Sequence, residues 1–175
     1  MSGRILYMGK YGSTRQYASW LAEDTGFEAV DLYRTPRPDL GNPEQVILGS
    51  SVHCGMLRIA GWINRNWSWL SQRQVFLFSV SGLTPESPLL SRLIHVNLGS
   101  RVWTHIHYHA LPGRLIQSEL DPLDRWLLKR EADFGIHLGQ YPGQHKGGSG
   151  DFNQVKRSQL QPLLQDLKDL QSFRS

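Results

Sequence analysis

Apolar residues in this chain fall into two kinds of run. Ile5-Leu6-Tyr7-Met8, Val46-Ile47-Leu48-Gly49 and Val75-Phe76-Leu77-Phe78 are short and unbroken. They lack the in–out alternation of a half-solvated strand and read as strands buried on both faces. Between them apolar positions recur at helical spacing. Tyr17, Ala18, Leu21 and Ala22 share one face of a helix that opens at Ser13 and is stopped by Gly26. Ile59, Ile63, Trp67 and Leu70 mark a second helix, and a third follows Pro85 and runs to about Asn97. Further strands are predicted at Glu28–Asp31 and Val102–Ala110, the latter ended by Pro112-Gly113. A short amphipathic helix is expected over Pro122–Arg130, and a last one from about Phe152 to Leu170, striped by Leu160, Leu163, Leu164, Leu167 and Leu170. The Pro-rich 35–43 stretch reads as a loop. The Gly- and Gln-rich 135–150 stretch is too polar to pack well and reads as a mobile surface loop.

Strands alternating with helices predict an α/β fold, doubly wound, with helices on both faces of a parallel sheet. Five strands suit the order 2-1-3-4-5 in a three-layer sandwich, as one domain over residues 1–175. In that order a ligand sits at the carboxyl ends of strands 1, 3 and 4, where the winding reverses. Three loops then converge: Gly9–Thr14, Ser50–Gly55 and Ser79–Thr84.

Composition narrows the function. With 39% hydrophobic and 19% charged residues among 175, the chain reads as globular. The net charge of +4 is scattered, without the dense basic tract that nucleic-acid binding needs. It suits an anionic cofactor, an acidic partner or an anionic membrane surface. The one cysteine, Cys54, excludes an internal disulfide. No signal peptide opens the chain, and no apolar run approaches the ~20 residues of a membrane span. A cytoplasmic protein is expected, with peripheral membrane contact left open.

The most informative stretch is Gly9-Lys10-Tyr11-Gly12-Ser13-Thr14, between the first strand and the first helix. Backbone N–H groups at a helix start attract a phosphate. Gly9 and Gly12 permit close approach, Ser13 and Thr14 add hydroxyls, and Lys10 adds charge. An ATP-type P-loop needs Lys directly before Ser or Thr, and here Lys10 precedes Gly12. The dinucleotide pattern G-x-G-x-x-G is also absent. A cradle for one phosphate and a plain turn with a helix cap stand at even odds on these residues alone.

Tyr7 to Trp20, Y-M-G-K-Y-G-S-T-R-Q-Y-A-S-W, resembles the opening of flavodoxin-domain proteins. That resemblance implies a flavodoxin-like fold whose first loop wraps the phosphate of flavin mononucleotide (FMN). V-I-L-G-S-S-V-H-C-G resembles the family's flavin-ring loop. The implied FMN contacts are Gly9, Lys10, Tyr11, Gly12, Ser13 and Thr14, then Ser50, Ser51, Val52, His53, Cys54 and Gly55, then Ser79, Ser81, Gly82 and Leu83. A-L-P-G-R-L and L-D-P-L-D-R-W-L-L-K-R are similar to a feature of the quinone-dependent protoporphyrinogen dehydrogenase branch, with Asp124, Arg125 and Lys129 shared. That branch implies a porphyrinogen substrate, a quinone acceptor and a place at the inner membrane. The chain departs from the family in two places. Met8 and Gly9 stand where members often carry a hydroxyl, and His53 and Cys54 stand where an aromatic often stacks on the ring.

Other residues invite chemistry. His53, protonated beside a reduced anionic flavin, would stabilise that charge, and is the one catalytic candidate. A partly exposed loop histidine is the equal alternative. Cys54 reads as a small loop residue rather than a reactive thiol. His105, His107 and His109 alternate along a strand, which would put them on one face. They would span ~13 Å, too far for one metal, so no metal site is expected. His109, nearest the strand's end, would alone approach a flavin. Trp62 and Trp69 fall off the buried face of their helix. Three functions are carried forward: an FMN oxidoreductase, a flavodoxin-type electron carrier serving a redox partner, and a binding module that has lost FMN. A homo-oligomer is compatible with each.

Overall fold

In the computed structural model, the most apolar runs lie at the centre of a parallel sheet, where both faces are covered. The structure describes residues 2–53, 55–120, 122 and 151–172. Cys54, the 135–150 loop and all but the first residue of the helix expected at 122–130 lie outside them. Strands β1 (Gly3–Met8), β2 (Glu28–Asp31), β3 (Gln45–His53), β5 (Gln74–Ser81) and β6 (Ile106–Pro112) form a parallel sheet in the order β2-β1-β3-β5-β6. Set aside the two-residue β4 (Met56–Leu57), which pairs antiparallel with the end of β3, and this is the expected order 2-1-3-4-5.

Alternation along the central strands divides the core in two. Leu6, Val46, Leu48, Val75 and Leu77 face the layer formed by α2 (Ala60–Arg65), α3 (Trp67–Leu70), α4 (Pro88–Leu98) and α5 (Ser100–Trp103). Ile5, Ile47, Phe76 and Phe78 face α1 (Ser13–Thr25) and the C-terminal α6 (Gln161–Ser172). All nine of these strand side chains are at most 1% exposed. Burying each stabilises the fold by about 1.5–3 kcal/mol, before conformational entropy is subtracted.

Several expected boundaries move. The helix expected over Ile59–Leu70 is broken at Asn66, whose Nδ2 donates to the Trp62 carbonyl at 2.9 Å, a local bond that competes with helix continuation. Trp62, at 5% exposure, is core rather than surface. Trp69 is half-buried, with Nε1 donating to Gly41 and the Arg73 guanidinium 4.1 Å from its ring. Val102 lies in α5, and the fifth parallel strand begins at Ile106. His105 therefore precedes the strand and packs edge-on against Trp67 of the α2–α5 layer. His107 and His109 lie in register with Phe76 and Phe78, so only two of the three histidines follow the expected alternation. Phe152–Asn153 is not helical: it forms β8, paired antiparallel with β7 (Arg114–Leu115). The C-terminal helix starts at Gln161, after a single 3-10 turn.

Candidate functional site

Winding reverses between β1 and β3: β1 connects outward to β2, and β3 connects the other way to β5. The crevice this opens lies beyond Met8 and Ser50, which are in register.

The loop after β1 is built from backbone. Gly12 has φ 86°, a left-handed conformation natural to glycine, and immediately precedes α1. It offers no side-chain cap, and no acid lies in the first helical turn. The positive end of the helix dipole is therefore not neutralised by its own sequence. Gly9 is fixed by a different constraint. A Cβ there would stand 2.4 Å from Thr14 Cβ and 2.5 Å from its Oγ1, so the buried Thr14 packs directly onto the glycine backbone. Lys10 lies over the Tyr11 ring, 5.2 Å from its centroid. The loop is held from outside by Arg114, whose Nε and Nη2 donate to the Tyr11 carbonyl at 3.3 and 3.1 Å. Arg114 Nη2 also pairs with Glu119 at 2.9 Å. Tyr17, one turn into α1, donates its hydroxyl to the Pro112 carbonyl at 2.9 Å, tying the helix to the end of β6. A cavity of about 440 Å³ opens between the first turns of α1 and the β7–β8 ribbon, lined by Gly12, Ser13, Gln16, Trp20, Arg114 and Asn153 among others.

The second expected loop is mostly strand. Ser50 and Ser51 still pair with Ser79 and Val80 of β5; Val52 and His53 continue β3 past that last pairing and return through Gly55 as a hairpin with Met56 and Leu57. Ser50 is fully buried and works for the fold: its Oγ accepts the Ile59 N–H at 3.1 Å and donates to the Ser51 carbonyl at 3.1 Å. Ser51 differs. Its Oγ is buried without a hydrogen-bond partner among the described residues. Strand alternation puts it on the Ile47 side, facing the α1 layer, at the end of the strand that borders the crevice. Orphaned buried hydroxyls are rare and cost about 1–3 kcal/mol, so this one calls for an acceptor or donor from outside the described residues.

The third expected loop also begins as strand. Ser79 and Ser81 belong to β5. Ser79 Oγ is 2.7 Å from the Tyr108 hydroxyl. Burial pushes the Tyr108 phenol up to about 12, with the Ser79 bond acting in the opposite direction. Tyr108 therefore stays protonated throughout the physiological range. Ser81 Oγ accepts the Leu83 N–H at 3.2 Å, and Leu83 is buried in the α2–α5 core. Gly82 lies beside Phe152 of β8, 3.6 Å from where a Cβ would stand.

Of the expected site residues, Gly9 to Thr14 and Ser51 border one crevice. Ser50, Ser79 and Ser81 hold their own strands and turns. Val52, His53 and Gly55 form the hairpin. His109 points away from the crevice: its Nε2 lies 3.0 Å from Asp166 Oδ2 of α6. The approach is close but lacks the direction of a hydrogen bond, so Nε2 counts as unsatisfied. Sequence reasoning missed Arg114 and Phe152. Arg114 belongs to the A-L-P-G-R-L segment and so had a signal; Phe152 had none, because its pairing with β7 is distant in sequence.

A family model described as a flavodoxin domain matches residues 4–131. Curated proteins give no match. Among solved structures, an NAD(P)H:quinone oxidoreductase from Methanothermobacter marburgensis is 12% identical, with a TM-score of 0.48 over 81% of this chain and 98% of its own. A flavodoxin from the domain Archaea is 15% identical, with a TM-score of 0.43 over 74% of this chain and 92% of its own. The Trp repressor binding protein of Bacillus subtilis is 14% identical, with a TM-score of 0.42 over 63% of this chain and 83% of its own.

Proposed function

The chain belongs to the flavodoxin-domain family, and from that premise we propose that it binds FMN and works as an oxidoreductase through it. One observation carries this reading: the orphaned Ser51 hydroxyl on the α1 side of the crevice, together with a helix start that has no cap of its own. Both are donors without acceptors, and a phosphate supplies acceptors. The backbone N–H groups of Ser13 and Thr14, with Ser51 Oγ, would hold the phosphate. The β3–β4 hairpin and the turn at Gly82 would flank the ring. FMN, when bound, supplies reversible hydride and single-electron transfer.

The residues around the crevice position and shield rather than react. Gly9 and Thr14 interlock to fix the loop. Arg114, itself paired with Glu119, anchors it by the Tyr11 carbonyl. Tyr108, held protonated, offers no base. His53, on the hairpin, is the candidate to stabilise a reduced, anionic ring as imidazolium. The finer assignment, a protoporphyrinogen IX dehydrogenase passing electrons to a quinone, is supported by the likeness of A-L-P-G-R-L and L-D-P-L-D-R-W-L-L-K-R to that branch.

Titration of the purified chain with FMN, followed by quenching of flavin fluorescence, tests the cofactor. Saturation at one FMN per chain is expected. A chain that stays colourless would overturn the reading in favour of a binding module. Given FMN, quinone-coupled oxidation of protoporphyrinogen tests the substrate, and no turnover with any acceptor would point to an electron carrier.

A further inference from the structure

The described residues include four large apolar side chains that stand exposed: Tyr33 (46%), Met56 (60%), Leu89 (49%) and Val96 (77%). Their positions in sequence are scattered, but they gather on one surface. Leu89 and Val96, at i and i+7, form the outer stripe of α4, and Leu93 between them is half-buried against the core. Met56 lies in the β3–β4 hairpin, and Asn97 of α4 ties the two elements together. Its Oδ1 accepts the Leu57 N–H at 3.0 Å, and its Nδ2 donates to the Gly55 carbonyl at 3.0 Å. Leu93 Cδ1 lies 3.9 Å from where a Cβ on Gly55 would stand. Tyr33 joins through Arg58, whose guanidinium lies 5.5 Å from the ring centroid while its Nε donates to the Tyr33 hydroxyl.

Two arginines punctuate this surface, which is bounded by Asp31, whose Oδ1 accepts the Tyr33 N–H at 3.0 Å, and by Glu86, three residues before Leu89. Arg58 follows Met56 and Leu57. Arg92 stands between Leu89 and Val96 on the same face of α4. Neither forms an ion pair with a carboxylate among the described residues. From Gln45 to Gly113 the chain carries Arg58, Arg65, Arg73, Arg92 and Arg101 against one acid, Glu86. The acids Glu23, Asp24, Glu28, Asp31, Asp166 and Asp169 belong to α1, β2 and α6. The segment that builds the α2–α5 layer is thus locally positive, although charge looks scattered along the sequence.

We propose that the β3–β4 hairpin and the outer stripe of α4 dock on an anionic lipid bilayer. Met56, Leu89 and Val96 enter the headgroup layer, and Arg58 and Arg92 meet lipid phosphates. Aliphatic side chains interleaved with arginine on a convex helix are the pattern of an interfacial helix. A protein partner would more often be met by a concave pocket with aromatic anchors. The surface is the flank of the same hairpin that borders the crevice, so docking brings the crevice to the bilayer, where apolar acceptors of the quinone class dissolve. The docking itself does not depend on the cofactor and can be tested whether or not FMN binds.

Co-sedimentation of the full chain with lipid vesicles decides the matter. Binding is expected to phosphatidylcholine vesicles containing ~30% phosphatidylglycerol, with little binding to phosphatidylcholine alone and a fall as salt screens the arginines. Val96→Asp and Arg92→Glu should each lower the bound fraction roughly fivefold or more, with an unchanged circular dichroism spectrum and melting temperature. Val96→Trp should raise it, because tryptophan favours the interface, and a variant that merely misfolds would not do so. Equal sedimentation of wild type and Val96→Asp overturns the proposal. So does the absence of binding to anionic vesicles, whether the surface then holds a second copy, seen as a Val96-dependent dimer by analytical ultracentrifugation, or an acidic protein.

Discussion

The loop after β1 and the hairpin after β3 border the same crevice and are made in opposite ways. The first is a backbone structure: two glycines, a helix start without a side-chain cap, and buried side chains that lock the loop rather than line it. The second is a strand structure in which polar side chains mostly serve the fold: Ser50 bonds Ile59, and Asn97 of the packed α4 holds Gly55 and Leu57. The difference teaches that a hydroxyl near a site is not thereby a ligand. What distinguishes Ser51 from Ser50 is the absence of an internal partner, not its place in the sequence.

The largest break in this comparison comes from the glycine side. Gly9→Ala puts a Cβ within 2.5 Å of Thr14, a short side chain fixed on α1 that cannot swing aside. The variant should lose about 1–3 kcal/mol of stability, as overpacked sites do. It should also lose FMN affinity by at least ~10-fold, since the loop must shift. Urea denaturation and FMN titration measure the two. An alanine variant as stable and as tight as the wild type would mean that the loop is not interlocked.

The adjacent serines give a sharper and smaller contrast. Ser50→Ala leaves the buried Ile59 N–H without its acceptor and should cost about 1–3 kcal/mol of stability, with FMN affinity unchanged. Ser51→Ala removes an atom that has no partner, so stability should hold or rise slightly. FMN affinity should fall roughly tenfold, about 1.4 kcal/mol. Equal effects of the two substitutions on affinity would dissolve the distinction between them.

Sequence pattern revealed the sheet order because β1, β3 and β5 are unbroken apolar runs that only a doubly covered sheet accommodates. It revealed the first loop because glycine at a strand–helix junction carries a physical meaning. It missed what depends on pairings between distant segments. The β7–β8 ribbon joins Arg114 to Asn153, and nothing in F-N announces a strand. The hairpin at Val52–Leu57 is too short for periodicity to register. The run from Val102 to Ala110 is apolar enough for either state, and α5 takes its first two residues while the strand begins only at Ile106. Which serine has a partner is likewise a three-dimensional fact.

His109 provides the last and smallest test, because its Nε2 is, like Ser51 Oγ, buried and unsatisfied. The comparison predicts that it answers to folding and not to a ligand, since a carboxylate of α6 stands 3.0 Å away. Burial lowers its pKa below the usual histidine value; the charge and side-chain contact of Asp166 raise it, but by less, and His107 lowers it further. The imidazole is therefore neutral in the fold near neutral pH. As pH falls through the ordinary histidine pKa, the unfolded chain takes up the proton first. Stability is lost from there down to the lower folded pKa and is level below it. Denaturation at about pH 7.5 and about pH 5 should show that loss. His109→Phe, which cannot titrate, should shrink it. Asp166→Asn removes the influence that raises the pKa, so it should widen the window and deepen the loss. If Asp166→Asn instead lessened the loss, the pair would be a true ion pair at neutral pH, and His109 would no longer be a buried neutral group. Neither variant should move FMN affinity, whereas Ser51→Ala should move affinity without adding pH dependence. The two orphaned atoms would then separate by what each responds to: a proton at the sheet's edge strand, a ligand at its switch point.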